Sequence, residues 1–396
     1  MKTSLLVINA GSSSIRFAQF DLACGAQPVR GMQGHIEGLG RTPQLVVNDR
    51  QGGCVTQRAL QPTGNPVADH ASALAALFDC IAGPEWPDGP HAVAHRIVHG
   101  GPAFARPMRV TPDVLAQLQQ FVPLAPLHQP HGLAALRVAA ARWPDVPQIA
   151  CFDTAFHATR SPVEQAYALP QPLRDAGVRR YGFHGLSYDH IAGVLPLHLG
   201  ALASGRVVVA HLGNGASLCA MRGRRSVATT MGMTPLDGLV MGTRCGRIDP
   251  GAVLHLIRGL GMTPDEVQIL LYEHSGLLGT SGISGDMRVL EASSEPAARF
   301  AIDLYVHAIT RELGSMVALL GGLDALVFTA GVGEHSAQIR ERVCRDAAWL
   351  GIELSAGAND AGETRISTPR SRASAWVIPT NEARLIAQQA AALLEI

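Results

Sequence analysis

Val7-Ile8-Asn9-Ala10-Gly11-Ser12-Ser13-Ser14-Ile15-Arg16-Phe17 carries an apolar strand into a Gly/Ser turn and out into a second strand with an arginine near its start. Glycine lets backbone amides approach an anion closely, hydroxyls donate, and arginine neutralises charge. Such a turn can cradle phosphate without a helix-based P-loop. A related run returns at Val207-Val208-Val209-Ala210-His211-Leu212-Gly213-Asn214-Gly215-Ala216-Ser217. Two strand–loop–strand phosphate cradles in one chain imply a duplicated kinase fold.

At 396 residues the chain exceeds one comfortable core, which favours two domains. Hydrophobic content is 47%, charged content 16% and net charge +0. Nothing electrostatic therefore points to nucleic acid or an anionic membrane, and any positive site must be local. Lys2 is the only lysine; every other Lys/Arg position is arginine. A Walker A loop, a protein-kinase strand lysine and a PLP Schiff base are thereby excluded. Phosphate must be met by arginine, which is always charged and binds oxyanions bidentately. The seven cysteines are scattered with no C-x-x-C pair. That argues against a disulfide framework or a zinc cluster and fits a reducing cytosol. The opening reads as a first strand, not a signal peptide, and no apolar run approaches a membrane span.

Strand patterns follow the opening hairpin at His35–Leu39, Pro43–Asn48, Cys54–Leu60, Ala92–Val98 and Gln148–Phe152. Helices are expected at Val67–Ile81, Thr111–Phe121 and Pro130–Trp143, with Thr111 as N-cap ahead of Pro112. The second half predicts strands at Arg206–Ala210, Ser217–Met221, Val227–Thr230, Ala325–Phe328 and Ser374–Ile378. Helices are expected there at Ala252–Arg258, Thr263–Glu273, Glu295–Leu319 and Glu382–Leu394. Strands alternating with helices imply an α/β architecture. A boundary is expected near residue 150, with the last helix packing back on the first domain.

Further segments concentrate chemistry-bearing residues. Arg96 ends an apolar strand in His95-Arg96-Ile97-Val98-His99-Gly100-Gly101, and Arg244 is the lone charge in Met241-Gly242-Thr243-Arg244-Cys245-Gly246. Asp153 follows a buried strand, His184 stands among glycines in Tyr181-Gly182-Phe183-His184-Gly185, and Glu382 follows Pro379-Thr380-Asn381. Singly, each has a structural explanation: an ion-paired arginine, a turn cap, a core histidine, a helix-start acid. Glycine beside His184 suggests close approach of a ligand instead.

Together these residues resemble the acetokinase family of acetate kinases, within the acetate and sugar kinase/Hsp70/actin superfamily. The likeness runs in order through INAGSSSIRF, HRIVHGG, APLHQP, FDTAFH, RRYGFHGLS, HLGNGASL, MGMTPLDGLVMGTR, SGISGDMR, FTAGVGEH and IPTNE. It implies duplicated ribonuclease H-like (actin-like ATPase) α/β domains with an active-site cleft between them. Residues 1–150, joined by the terminal helix 383–396, would form the acyl and metal side; residues 151–382 would bind nucleotide and dimerise. The implied reaction is reversible Mg²⁺-dependent (or Mn²⁺-dependent) transfer between ATP and acetate, giving acetyl phosphate and ADP, by a cytoplasmic homodimer.

Position by position, the resemblance implies that Asn9 and Glu382 hold the metal, which suits hard oxygen donors. Arg16 contacts the nucleotide phosphates, Arg96 the acyl carboxylate, and Asp153 orients or activates that substrate. His184 and Arg244 stabilise the transferring phosphoryl group. His211, Leu212, Gly213, Asn214 and Gly215 face the phosphates. Asp286, Met287 and Arg288, with Gly331, Val332, Gly333, Glu334 and His335, surround adenosine. Val98, Leu127, Phe183 and Pro235 form the pocket for the acyl methyl group.

The chain departs from the family pattern at His335 (usually Asn), Arg247 (usually acidic), Cys245 (Ser), Gln129 (Asn), Leu186 (Thr) and Tyr188 (His). These lie beside the site residues and bear on donor affinity and acyl-chain preference; Arg247 near the phosphates would favour a more anionic partner. Competing readings are a propionate or butyrate kinase, a pyrophosphate-dependent relative, and a nucleotide-dependent regulatory protein on the same fold. The last would be expected to lack Arg96, Asp153 and Arg244, all of which are present.

Overall fold

The computed structural model describes residues 3–11, 14–22, 27–40, 42–62, 66–81 and 89–395. Lys2, Ser12, Ser13 and Cys24 lie outside the described residues. The chain divides into two compact units, Met1–Ala155 with Asn381–Ile396, and Phe156–Thr380.

The first unit is built on β1 (Thr3–Ala10), β2 (Ser14–Leu22), β3 (Val29–Glu37), β4 (Gln44–Asn48), β5 (Cys54–Ala59), β6 (Ala92–Ile97), β7 (Met108–Arg109) and β8 (Gln148–Phe152). They form one sheet in the order β5-β4-β3-β2-β1-β6-β8-β7. β1 is antiparallel to β2 and parallel to β6, which is parallel to β8. Leu6, Ile8 and Ala10 alternate into a cluster with Leu74, Leu77 and Phe78 of the helix Pro66–Ile81 and with Ala135 and Ala139 of the helix Gln129–Arg142. The helix Glu382–Leu394 packs on β1, β2, β6 and β8. Cover on both faces explains why β1 is almost continuously buried. Asn9 shares the period-2 face of Leu5 and Val7, away from the first cluster.

The second unit repeats the plan with β9 (Arg206–Leu212), β10 (Ala216–Arg222), β11 (Arg225–Thr229), β12 (Ala325–Thr329) and β13 (Ser374–Val377). Their order, β11-β10-β9-β12-β13, matches β3-β2-β1-β6-β8, and the strand senses agree pair by pair. Tyr188, Ile191 and Leu195 of the helix Gly185–Leu199 pack against Val207, Val209, Cys219 and Met221. The 25-residue helix Pro296–Leu320 packs on β9, β10 and β11.

Several helices go beyond the sequence expectations, the longest of them Gly185–Leu199 and Ala337–Asp346. The first has no side-chain cap, starts from a left-handed His184 (φ 57), and is buried over much of its circumference, so no amphipathic stripe marks it. The Gly331–His335 segment lies in the short helix Ala330–His335.

Two deeply buried histidines stay neutral. Burial lowers the pKa of His95 to about 4 against the opposing effect of its 2.8 Å bond to Gln148. Burial, then the nearby Arg160 charge, lowers His157 to about 3, although Phe183 O accepts from Nε2 at 2.9 Å. An unfolded histidine protonates near 6.5 while these two do not, so the unfolded state takes up the extra protons as pH falls. Unfolding free energy measured in denaturant is expected to be constant between about pH 7 and 8 and to decline below pH 6.5. The slope should reach about 1.4 kcal/mol per pH unit for each histidine. His95→Gln should flatten that decline by one proton; an identical slope in the variant would contradict the assignment.

Candidate active site

In the first unit, the parallel register sets Ile8 beside His95, and hence Asn9 beside Arg96. Asp153 follows β8, its backbone N–H donating to Ile97 O at 3.1 Å. Arg96 reaches both neighbours. Its Nε donates to Asp153 Oδ2 at 2.9 Å, its Nη2 makes a shorter bond to the same oxygen, and its Nη1 donates to Asn9 Oδ1 at 3.0 Å. Burial opposes the Arg96 charge, but Asp153 and then Glu382 outweigh it, and the guanidinium is held more firmly protonated than usual. Glu382 opens its helix, whose first turn is capped by Asn381 accepting from Arg384 N–H at 3.0 Å. Asn9, Arg96 and Asp153 are thus one hydrogen-bonded cluster, and the Glu382 charge acts on Arg96 from the start of its helix. Val98 is buried just beyond β6, and Leu127 is half-buried before the helix Gln129–Arg142. Arg16 sits opposite Asn9 in the β1–β2 register and is exposed.

In the second unit, the β9–β10 turn is closed by Gly213 N–H donating to Gly215 O at 3.0 Å. A β-carbon on Gly215 would fall 3.1 Å from His184 Nε2 and 3.2 Å from Arg244 Nη2, so the bare backbone lets both donors converge there. Arg244 Nη1 donates to Pro235 O at 2.7 Å, fixing the other end of its fork. His184 and His211 stack with ring centroids 4.1 Å apart. Ser217 Oγ lies 2.9 Å from His184 Nδ1, while Ser187 Oγ lies 2.8 Å from His211 Nδ1 and donates to Thr380 Oγ1 at 2.9 Å. Gly242 N–H donates to Asn214 O at 3.0 Å, and a β-carbon on Gly213 would lie 3.6 Å from Ala330 Cβ. The turns after β9 and β12 therefore adjoin. Leu212 is buried and Asn214 exposed.

Glu334 is tied inward: its Oε1 accepts from Ala330 N–H at 2.8 Å and from Thr380 N–H at 3.1 Å. Gly331 and His335 are exposed, Val332 half-buried and Gly333 buried. The fully buried Arg340 supports this turn from beneath. It donates to Gly333 O at 3.1 Å, to Glu334 O at 2.8 Å, and to Asn359 Oδ1 and O, each at 2.8 Å. Asp286 and Arg288 form a surface pair at 2.5 Å, with Met287 buried between them. Asp286 also caps its short helix by accepting from Arg288 N–H at 2.9 Å.

Several expectations change on contact with the geometry. Gly182 is required by packing: at φ 79, a β-carbon there would lie 2.6 Å from Thr229 and 2.9 Å from the His157 ring, so it signals no ligand. Arg247, read as added charge near the phosphates, is exposed and pairs with Glu312 at 3.3 Å. Gln129 clamps the His99 backbone in both directions, its Oε1 accepting from His99 N–H and its Nε2 donating to His99 O, each at 3.0 Å. Burial raises the Cys245 thiol to about 11, which keeps it protonated and unreactive. Sequence reasoning gave no role to Ser187, Ser217, Thr380 and Arg340, which act through other residues, and marked Tyr188 only as a departure from the family pattern. What placed Ser187 and Tyr188 within one turn of His184 was the unassigned helix.

Two sheets of the same order, each led by an antiparallel hairpin, define the duplicated ribonuclease H-like, actin-type ATPase class. The acetokinase family pattern matches residues 4–388. An acetate kinase of Rhodopseudomonas palustris is 53% identical over 394 residues, 98% of each chain, and one of Rhizobium meliloti is 44% identical over 391 residues, 99% of this chain and 98% of its own length. The solved structure of Porphyromonas gingivalis acetate kinase has a TM-score of 0.87 at 33% identity, covering 99% of this chain and 100% of that one. A propionate kinase from Francisella tularensis has a TM-score of 0.89 at 34% identity, covering 98% of both. The chain belongs to the acetokinase family.

Gly215→Ala tests the convergence directly. The added methyl must displace His184 or Arg244 rather than strain the backbone. Thermal stability is expected to stay within a few degrees while kinase turnover falls about 10²-fold, the order a misplacement near 1 Å costs. Normal turnover would show that nothing needs the space above Gly215.

Proposed function

We propose that the chain catalyses reversible transfer of the ATP γ-phosphoryl group to acetate, giving acetyl phosphate and ADP by direct in-line displacement. An acetate oxygen forms the new O–P bond as the β,γ-bridging P–O bond breaks and its electron pair leaves with ADP. Acetate is already an anion near neutral pH, so no strong base is needed; the obstacle is bringing two anions together.

The observation that carries this reading is the state of Arg96. Of its five N–H donors, three go to Asp153 and Asn9 and, among the described residues, one on Nη1 and one on Nη2 remain to grip a carboxylate. Asp153 would orient the acyl group through Arg96. Val98, Leu127, Phe183 and Pro235 would bound its methyl group. Arg244 and the His184 Nε2 edge, converging over Gly215, would stabilise charge on the equatorial phosphoryl oxygens. The His211–Gly215 turn and Arg16 would take the nucleotide phosphates, with Asp286–Arg288 and Gly331–His335 around adenosine.

The family's chemistry uses ATP and a divalent cation. Among the described residues no cluster of three or more His, Cys, Asp or Glu could cage a metal ion. Asn9 and Glu382 instead offer two hard oxygen donors, which suits Mg²⁺, a cation usually held by one or two protein groups plus water and substrate phosphates. Bound there, it would neutralise phosphate charge. Within the same proposal, the first unit is the acyl and metal side, the second binds nucleotide and forms a homodimer, and the enzyme works in the cytoplasm. No helix among the described residues is long and apolar enough to cross a membrane.

Propionate is the second acceptor to weigh, since the Francisella propionate kinase is as similar in structure as the Porphyromonas acetate kinase. One methylene separates the two acids by only about 1–3 kcal/mol, or 10–200-fold. A hydroxamate assay for acyl phosphate, run with acetate, propionate and butyrate against ATP and pyrophosphate, decides among them. Acetate with ATP is expected to give the highest kcat/KM, and absence of acyl phosphate in every combination would overturn the proposal. Arg244→Ala is expected to lose at least about 10³-fold in kcat with its melting temperature nearly unchanged; near-normal kcat would remove Arg244 from the mechanism.

A further inference from the structure

Tyr188 is fully buried one helical turn after His184, where the family pattern has histidine. Its hydroxyl lies 2.5 Å from Ser217 Oγ. Ser217, also fully buried, is in turn 2.9 Å from His184 Nδ1. Two proton orders fit these distances. In one, the Tyr188 hydroxyl donates to Ser217, the Ser217 hydroxyl donates to His184 Nδ1, and the proton of the neutral imidazole sits on Nε2. In the other, Nδ1–H donates to Ser217 and Ser217 to Tyr188. The Tyr188 oxygen then accepts from Ser217, and its own proton has no acceptor among the described residues, an unpaired buried donor that the first order avoids. Burial also holds the phenol pKa well above its ordinary value, so the hydroxyl keeps its proton to donate.

We propose that Tyr188 is a positioning residue which, through Ser217, holds His184 as the neutral Nε2–H tautomer, with that N–H turned toward the space over Gly215 shared with Arg244 Nη2. This rests on the reading of His184 as a phosphoryl contact. It refines that reading: His184 supplies a directed donor, and Arg244 supplies the positive charge. Tyr188 can do this because, among the described residues, Ser217 Oγ is the group within hydrogen-bond distance that can take its proton.

The test is made on the full chain labelled with ¹⁵N in its histidine rings. Long-range ¹H–¹⁵N correlation spectra of His184, identified by loss of its signals in His184→Gln, report which ring nitrogen carries the proton. The wild type is expected to show the Nε2–H pattern at pH 7.5. Tyr188→Phe should convert it to a mixture of tautomers. Its kcat should fall about tenfold, the scale of losing a hydrogen bond that orients a working imidazole. KM for acetate and ATP should stay within about twofold. Ser217→Ala cuts the same relay at its other end. It should match Tyr188→Phe, the double variant should be no slower than either, and it serves alone if Tyr188→Phe does not fold. An imidazolium or Nδ1–H pattern in the wild type would overturn the proposal. So would an unchanged tautomer in the variants, or losses that multiply in the double variant. Failure of the wild type to make acyl phosphate would instead sink the functional reading, while the tautomer spectrum still decides this one.

Discussion

A guanidinium held on two sides at the end of a parallel strand is the constraint on which the first unit depends. β1, β6 and β8 run parallel, so Asn9, Arg96 and Asp153 emerge at one edge of the sheet. That edge, past the carboxyl ends of parallel strands, is where open α/β sheets place ligands. Holding an arginine there carries a large desolvation cost unless its charge is met. Asp153 meets it with one oxygen taking two N–H groups, and Asn9 meets it with a neutral oxygen. The pairing leaves the charge largely compensated but the fork incompletely used. A fully saturated arginine could only hold the fold together.

The second sheet shows the same frame turned to another use. Asn9 is the penultimate residue of β1, and His211 is the penultimate residue of β9. Each stands just before a glycine-containing turn closed by a backbone bond, Gly11 N–H to Ser14 O at 2.8 Å in the first and Gly213 N–H to Gly215 O at 3.0 Å in the second. The first position takes an amide that meets an arginine; the second takes an imidazole that stacks on His184. Duplication preserved strand order and strand sense, while turn length and the side chains at equivalent places diverged.

Much of this was legible in the chain because it rests on local pattern. The two hairpins are marked by apolar runs broken at Gly-containing turns. Thr111 and Pro112 announce a helix that does start there, with Thr111 accepting from Val114 N–H at 3.3 Å. The lack of lysine pointed to arginine as the group that would meet anions. What was hidden depends on long-range contact. Gly182 looks like a ligand-facing glycine until Thr229 and His157 are seen against it. Arg247 looks like spare charge until Glu312, 65 residues on, is placed beside it. The helix after His184 has neither cap nor stripe to reveal it, and with it went Ser187 and Tyr188.

The arginines and the histidine share one design. Arg96 leans on Asp153 and Asn9, Arg244 on the Pro235 carbonyl, and His184 on Ser217. Arg340, further back, turns all its bonded donors on carbonyl and amide oxygens and so fixes the turn that carries Gly333 and Glu334. Each group spends part of its hydrogen-bonding capacity on the interior to set the direction of what remains. A planar fork or ring can be fixed this way because its donors have set angles; an ammonium on a four-carbon stem cannot be aimed by tying down one proton. In a chain whose one lysine is Lys2, phosphate chemistry has to be built from aimed donors, and aiming requires buried acceptors behind each of them.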